Sequence, residues 1–589
     1  MKRKQTRGFW LAAALLASAP LAFAAVDLPP TVKVETGDVE PFCNSGAPSV
    51  WRDAQTVEGV AMQESRVCDP DNPSEIAAFV KGTNGVSMDT LMDTKLAPDA
   101  VTMSNDEDGD GDPDRIVIKL EIMELNGRSP DFPGVVPTFD IAPGIQPGFW
   151  VYTPKSRDMS TRGFASLEAN TLLRMPSPAI RVEQGDTVWL VLENTHYFPH
   201  SIHLHGVDHP YMDHSGSGND GVGQTAEMDV MPGQTKTYVI KPRQPGTMYY
   251  HCHVQPHTHI PMGLAGMFIV EENRANNWPQ TFNLGNGQVR HPSKAVLEKY
   301  NQEYDLHYQS ADKELHQIIQ QYNDPRLIAL NMNQKYDITD AKDDYFMLNG
   351  RAFPYSLRES LINVEPNQKV KLRVLNGHTE GMALHIHGHK ATITDYDGVP
   401  HAPAARIQRD VYDLAPAQRL DLELNTTNDG LNSFGSGIWM FHDHVETTFT
   451  TNGQGEGGSI SLLVYKGYAD AAGTPELHGM DVSPYFSKKF WKREIPVWQH
   501  LSVGESLGMP KMEGVKPNTV PPLPKTLEPT KKPAKQPAAE GSGGESSSFG
   551  NLLRGLLLGA LGYAAYVNRR RLMALAAQLI AQIKAMGGK

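Results

Sequence analysis

Tyr250-His251-Cys252-His253-Val254-Gln255-Pro256-His257-Thr258-His259-Ile260-Pro261-Met262 sets a thiol between two imidazoles. A further imidazole follows the thiol by five residues and a thioether by ten. Cys252, His257 and Met262 at these offsets suit a blue-copper site, in which two His and one Cys lie in a plane and a weak Met sits on the axis. Alternate residues of a strand point to opposite faces. His251 and His253 therefore leave one face and Cys252 the other. A metal on Cys252 would stand back to back with a second centre held by the flanking imidazoles, a few covalent bonds away.

Three more clusters lie outward from this run: His200-Ser-Ile-His203-Leu-His205-Gly206, His385-Ile-His387-Gly388 and His442-Asp-His444. Each carries an HxH pair, which delivers two imidazoles to one face of a strand. With His251 and His253 they make eight: His203, His205, His251, His253, His385, His387, His442 and His444. A lone HxH is ordinary surface decoration; two pairs in each half of the chain are not. His200 stands outside the alternation, free to be the second imidazole of the Cys252 site.

These four motifs resemble the copper-binding signatures of the multicopper oxidases. The resemblance spans roughly residues 115 to 470. It implies a type 1 copper on His200, Cys252, His257 and Met262, and a type 2 copper on His203 and His385. It implies a type 3 pair on His205, His251, His253, His387, His442 and His444. In the three-domain laccases the Cys motif comes last, whereas here it lies in the first half. In the second half Asp443 stands where Cys252 would, Thr448 and Gly453 follow it at the later offsets, and Met382 matches His200. The pattern is similar to the two-domain, laccase-like members, with type 1 copper in the N-terminal domain only.

The expected fold class is all-β, with two cupredoxin-like Greek-key β-sandwich or barrel domains. Domain 1 is expected over 115–275, a connector over 276–335 and domain 2 over 336–470. Short β-branched runs separated by turn residues support this: Arg115–Glu121, Ile180–Val182, Asp186–Glu193, Thr235–Lys241 and Gly246–His251, then Lys369–Leu375, Met382–Ile386, Arg419–Leu424 and Ile438–Phe441. In the connector, Leu297, Tyr300 and Tyr304 follow a partly helical period, and a strand at Tyr304–Tyr308 is expected to begin domain 2. By the resemblance, Asp220 is a candidate acidic group for passing protons; the alternative is a turn Asp before Gly.

Residues 1–24 read as a secretory signal: Lys2, Arg3, Lys4 and Arg7, an apolar run from Phe9 to Leu21, then Ala22-Phe23-Ala24. No Arg pair precedes the apolar run, so a twin-arginine route is not supported. Removing the segment takes away four positive charges and no negative one, moving the formal charge from −13 to −17. An acidic chain argues against nucleic acid as partner. Export to an oxidising, periplasmic compartment lets Cys43 and Cys68 pair, two free thiols being the alternative. Residues 25–114 read as an N-terminal extension. Within it Asp106, Asp108, Asp110, Asp112 and Asp114 follow the start of a calcium loop, but Val117 occupies the twelfth position. A calcium site and a solvated acidic turn both stay open.

Residues 471–548 form a tail and a Pro-, Lys-, Gly- and Ser-rich linker. Residues 549–589 read as a membrane anchor followed by an amphipathic helix. Leu552–Val567 is apolar except for Arg554, and Arg569-Arg570-Arg571 follows on the side expected to face the cytoplasm. An interfacial helix or partner-binding tail is the alternative.

The implied partners are O2 and a small reductant: a phenol, Cu(I), Fe(II) or Mn(II). The resemblance also implies a homotrimer with each trinuclear site between subunits. A copper nitrite reductase shares the two-domain plan, but it needs one three-His catalytic copper and has Ala where His253 stands. A copper-carrying resistance protein would carry Met- or His-rich tracts; the 23 Met here are dispersed.

Overall fold

The computed structural model describes residues 97–486, apart from 98, 110–112, 129–134, 137–138, 156–173, 274–280, 290–299, 471, 472 and 479. It also describes the backbone of four short strands between residues 51 and 66. The signal, Cys43, Cys68, Asp110, Asp112, the linker and the expected anchor lie outside the described residues. Among the described residues, no helix is long and apolar enough to cross a membrane.

Two β-sandwich domains follow one another. In the first, Arg115–Leu125 runs parallel to Thr187–Glu193 and antiparallel to Val101–Ser104 and Phe149–Pro154; Thr235–Ile240 closes the far edge. The opposing sheet has the order His203–His205, Gly246–His251, Ala265–Glu271, Ala179–Glu183, Phe282–Asn283. Between the sheets lies one apolar core containing Ile118, Leu120, Trp150, Tyr250, Phe268 and, notably, Cys252 and Met262.

The second domain repeats this plan. Its metal-side sheet is ordered Val411–Leu414, Met382–Ile386, Ile438–Asp443, Ile460–Tyr465, Ile362–Val364. Its other sheet runs Gln302–Asp312, Lys369–Gly377, Arg419–Asn425, Ala391–Tyr396, with Asp343–Leu348 on Gln302–Asp312. Its core is Leu306, Leu372, Val374, Leu384, Leu420, Leu422, Phe441 and Leu463.

The strands expected from the sequence form within two residues of their expected ends, except that Arg115–Glu121 continues to Leu125 and Tyr304–Tyr308 continues to Asp312. The boundaries move. Val101–Ser104 belongs to the first sheet, so the extension is not wholly separate from domain 1. Gln302–Asp312 is a full strand of domain 2, which therefore begins well before 336. Of the partly helical period, Leu297 lies outside the described residues and Tyr304 lies in that strand, which contains the expected Tyr304–Tyr308. Both faces of this strand are covered: Glu303, Asp305 and His307 are buried as well as Tyr304, Leu306 and Tyr308 on the other face. A helix does follow, Lys313–Gln321, where the Asp312 side chain accepts the Glu314 amide as N-cap.

The domains are locked by a buried ionic network. Arg181 of domain 1 makes a forked pair with Asp305 at 2.7 and 2.6 Å. Arg373 donates to Glu303, to Asp421 at 2.8 Å and to Thr247 of domain 1 at 2.9 Å. Helix Lys313–Gln321 adds Gln320 Nε2 on the Gln146 carbonyl at 2.6 Å.

Candidate metal centres

Register places the imidazoles. His203 lies directly opposite His251 on antiparallel strands, and the two-residue period adds His205 and His253 to the same face. Ring centroids are 5.2 Å apart for His203–His205, 5.3 Å for His203–His251, 5.2 Å for His203–His253 and 4.9 Å for His205–His251. In domain 2 His385 lies opposite His442. His385–His387, His387–His442 and His442–His444 are 4.7, 5.2 and 5.2 Å apart. Each domain thus presents one quartet. Among the described residues, the ring contacts of each quartet's imidazoles with one another stay within one domain.

The outer nitrogens orient the rings. Nδ1 of His203 faces the Asp220 carbonyl at 2.6 Å, and that of His251 faces the Cys252 carbonyl at 2.9 Å. Nδ1 of His385 and of His442 face the Asp410 and Asp443 carbonyls, each at 2.9 Å. A carbonyl only accepts, so each Nδ1 carries the hydrogen and each Nε2 keeps its lone pair for a metal. Nε2 atoms approach to 2.9 Å for His205–His251 and 3.2 Å for His387–His442. Burial, with neighbouring imidazoles, holds His251 down to about 3 and His205 and His442 to about 4. These are neutral, metal-ready rings.

Behind the first quartet, Cys252 Sγ is 3.6 Å from His200 Nδ1 and 3.4 Å from His259 Nδ1, all three buried. Met262 is fully buried in the same core. Burial raises the Cys252 thiol to about 11, so a cation is needed to hold the thiolate there. Here the structure departs from the expected ligand set. His259, not His257, is the second imidazole against the thiol, while His257 is exposed. The turn explains the difference. Gln255 in the left-handed region starts the short helix Pro256–His259, which puts Thr258 and His259 inward and His257 outward. The residue signal was in the quoted run, two positions further along.

Among the described residues, domain 2 shows no counterpart centre. Asp443 takes the place of Cys252: its Oδ1 accepts the amides of Ala383 at 2.9 Å and Val445 at 3.1 Å. In domain 1 the equivalent segments face the thiol, which lies 3.9 Å from the Val254 carbonyl. A carboxylate thus occupies the cradle of a thiolate, with Met382 replacing His200.

Asp220 sits on the first quartet's rim. Its Oδ1 lies 3.5 Å from His203 Nδ1 and 3.1 Å from His209 Nε2, and its side chain is 29% exposed. Tyr211, Met212 and His214 are exposed. The Asp106, Asp108 and Asp114 carboxylates lie within 4.8 Å of one another. Asp114 accepts the amides of Glu107 and Asp108 there, and the segment is the turn of the Val101–Ser104 and Arg115–Leu125 hairpin.

The donor sets fit copper. A thiol, two imidazoles and a thioether make a soft mononuclear set, and eight imidazoles suit a cluster.

Residues 171–275 and 327–455 match two family models, each described as multicopper oxidase. A copper-containing nitrite reductase of Neisseria meningitidis is 39% identical over 98 residues, 16% of this chain and 23% of that protein. A multicopper oxidase of Staphylococcus epidermidis is 22% identical over 236 residues, 39% of this chain and 43% of that one. Copper resistance protein A of Pseudomonas syringae pv. tomato is 25% identical over 283 residues, 45% and 43% of the two chains. The chain thus spans less than half the length of these curated relatives. Among solved structures, a blue copper oxidase from Nitrosomonas europaea has a TM-score of 0.45 at 24% identity, covering 64% of this chain and 93% of that one.

Proposed function

The chain belongs to the multicopper oxidase family, and from that premise we propose that it couples one-electron oxidation of a small reductant to four-electron reduction of O2 to water. The observation that carries this reading is the pair of matching imidazole quartets, one per domain, with Cys252 strung between His251 and His253 of the first. When bound, copper would supply the one-electron chemistry: a type 1 ion on the thiol, and type 2 and type 3 ions on the quartets. The chain's own part is geometric. Cys252 is covalently continuous with His251 and His253, so a copper held by Cys252 and copper held by the flanking imidazoles would be joined by a short bonded path. The carbonyls behind Nδ1 fix ring direction. Asp220, partly open to solvent and touching His203, passes protons inward.

The reductant is a phenolic compound or a reduced metal ion, and the protein acts after export. Each quartet supplies half of a trinuclear site, and the halves meet between chains, head to tail. The second quartet's surroundings support this. His444 is half exposed; Val445 beside it and Val411, paired with His385, are 37% and 39% exposed, and Phe434, whose amide donates to the Gly388 carbonyl, is 55% exposed. An uncovered apolar rim around metal-ligating groups calls for a partner surface. A closing head-to-tail contact gives a ring, here a trimer.

The test is copper content with optical absorption, followed by oxygen uptake and light scattering on the copper-loaded chain. About four copper ions per chain with a blue band, a near-ultraviolet shoulder and a trimeric mass support the reading. About two copper ions without the shoulder, and turnover of nitrite instead, would overturn it in favour of a nitrite reductase.

A further inference from the structure

Behind the blue-copper candidate a second imidazole stands in line. His200 turns Nδ1 to Cys252 and Nε2 to Nδ1 of His196, 2.9 Å away. The amide of Phe198 also points at His196 Nδ1, at 3.4 Å. An amide only donates, so His196 Nδ1 is a lone pair and the hydrogen between the rings belongs to His200 Nε2. That fixes the tautomer of His200 and leaves its Nδ1 lone pair facing the thiol. The hydrogen of His196 is then on Nε2, which looks at Glu124 Oε2 from 4.0 Å.

Glu124 Oε2 is itself held by two donors, Trp150 Nε1 at 3.2 Å and the Tyr197 hydroxyl. Two donors on one oxygen suit a carboxylate. Trp150 packs edge-on against His196, His200 and His259, with centroids at 5.0, 6.0 and 5.2 Å. His196 and His200 are buried, and Glu124, 19% exposed, is where the line meets solvent.

We propose that His196 and Glu124 are positioning residues for the type 1 copper: they orient His200, fix its tautomer, and set a negative charge behind it that lowers the metal's potential. A partner behind a ligating imidazole raises the ring's basicity. An added negative charge favours the more oxidised, more positive metal. The inference rests on the reading of Cys252 as a type 1 ligand.

The experiment is a redox titration of the blue band, with electron paramagnetic resonance, on the copper-loaded full chain. The variants are Glu124→Gln, His196→Ala, His196→Gln and the Glu124→Gln/His196→Ala pair. Glu124→Gln should keep the band and shift the potential upward. His196→Ala should alter the copper hyperfine splitting and weaken Cu(II) binding by about 10- to 100-fold. His196→Gln, which still offers an acceptor to His200 and a donor toward Glu124, should recover most of the loss. In the pair, removing Glu124 should add no further shift. A blue wild type whose potential is unmoved in Glu124→Gln and whose splitting is unmoved in His196→Ala would overturn the inference, even if thermal stability fell. A wild type with no blue band would overturn the type 1 reading beneath it.

Discussion

His257 and His259 differ by two positions, and that difference decides which ring meets the copper. Offsets along the chain favour His257; the short helix Pro256–His259 turns His259 to the thiol. The expected result is that His259→Ala abolishes the blue absorption while His257→Ala retains it. The reverse result would return the ligand to the fifth position and require that helix to rewind when copper is loaded. Asp220 makes a separate claim at this scale. Because it contacts His203 and His209 on the solvent side, Asp220→Asn should slow oxygen reduction by about 100-fold. Reduction of the blue site by the reductant should continue at its former rate in stopped-flow absorption. Equal slowing of both steps would refute the relay.

The sheet strands decide which residues share a face. In both domains an HxH strand pairs antiparallel with the strand that ends at the second HxH, in the same order within the sheet. A one-residue slip would carry every imidazole to the other face, so register is as necessary as residue type. Asp443 pins that register in domain 2 by accepting two amides from different segments. Asp443→Ala leaves those donors without a partner. We expect about 1–3 kcal/mol of destabilisation, read by denaturant unfolding of the metal-free protein. Copper bound through His442 and His444 should weaken with it. Unchanged stability would show that solvent replaces the carboxylate.

Across the whole molecule, two cores are held together by charges taken out of water. Arg181 is fully buried and pairs with Asp305, Glu303 and Glu271. Removing one partner from such a set strands the others, so Arg181→Ala should cost about 3–5 kcal/mol and separate the domain transitions in calorimetry. A loss below about 1 kcal/mol would mean the network contributes no more than a surface pair. Acid should act on the fold as well. Burial holds His307 and His378 down to about 3 and His316 to about 4, below their ordinary 6.5. The folded chain therefore binds fewer protons than the unfolded one in that window. Their stabilising contribution is whole above about pH 6.5 and is lost as the pH falls toward 3, at up to about 1.4 kcal/mol per histidine per pH unit. Melting of the metal-free protein at pH 7, 5.5 and 4.5 should show a falling midpoint; a flat profile would contradict it.

The sequence by itself determined the donor inventory and its alternation: four HxH pairs, one thiol, a carboxylate where the second thiol would be, and strands that form close to their expected places. These are local properties, carried by residue type and a period of two. The tertiary structure decided what depends on distance through space. It brought His259 to Cys252 through a turn set by Gln255, and it placed Glu124, from a distant strand, behind His196 and His200. It also buried the polar residues of the expected strand around Tyr304–Tyr308, because their partners lie in other strands and in the other domain. The long-range meetings are set by packing between sheets and domains, and the turn at Gln255 sets which imidazole near Cys252 points inward.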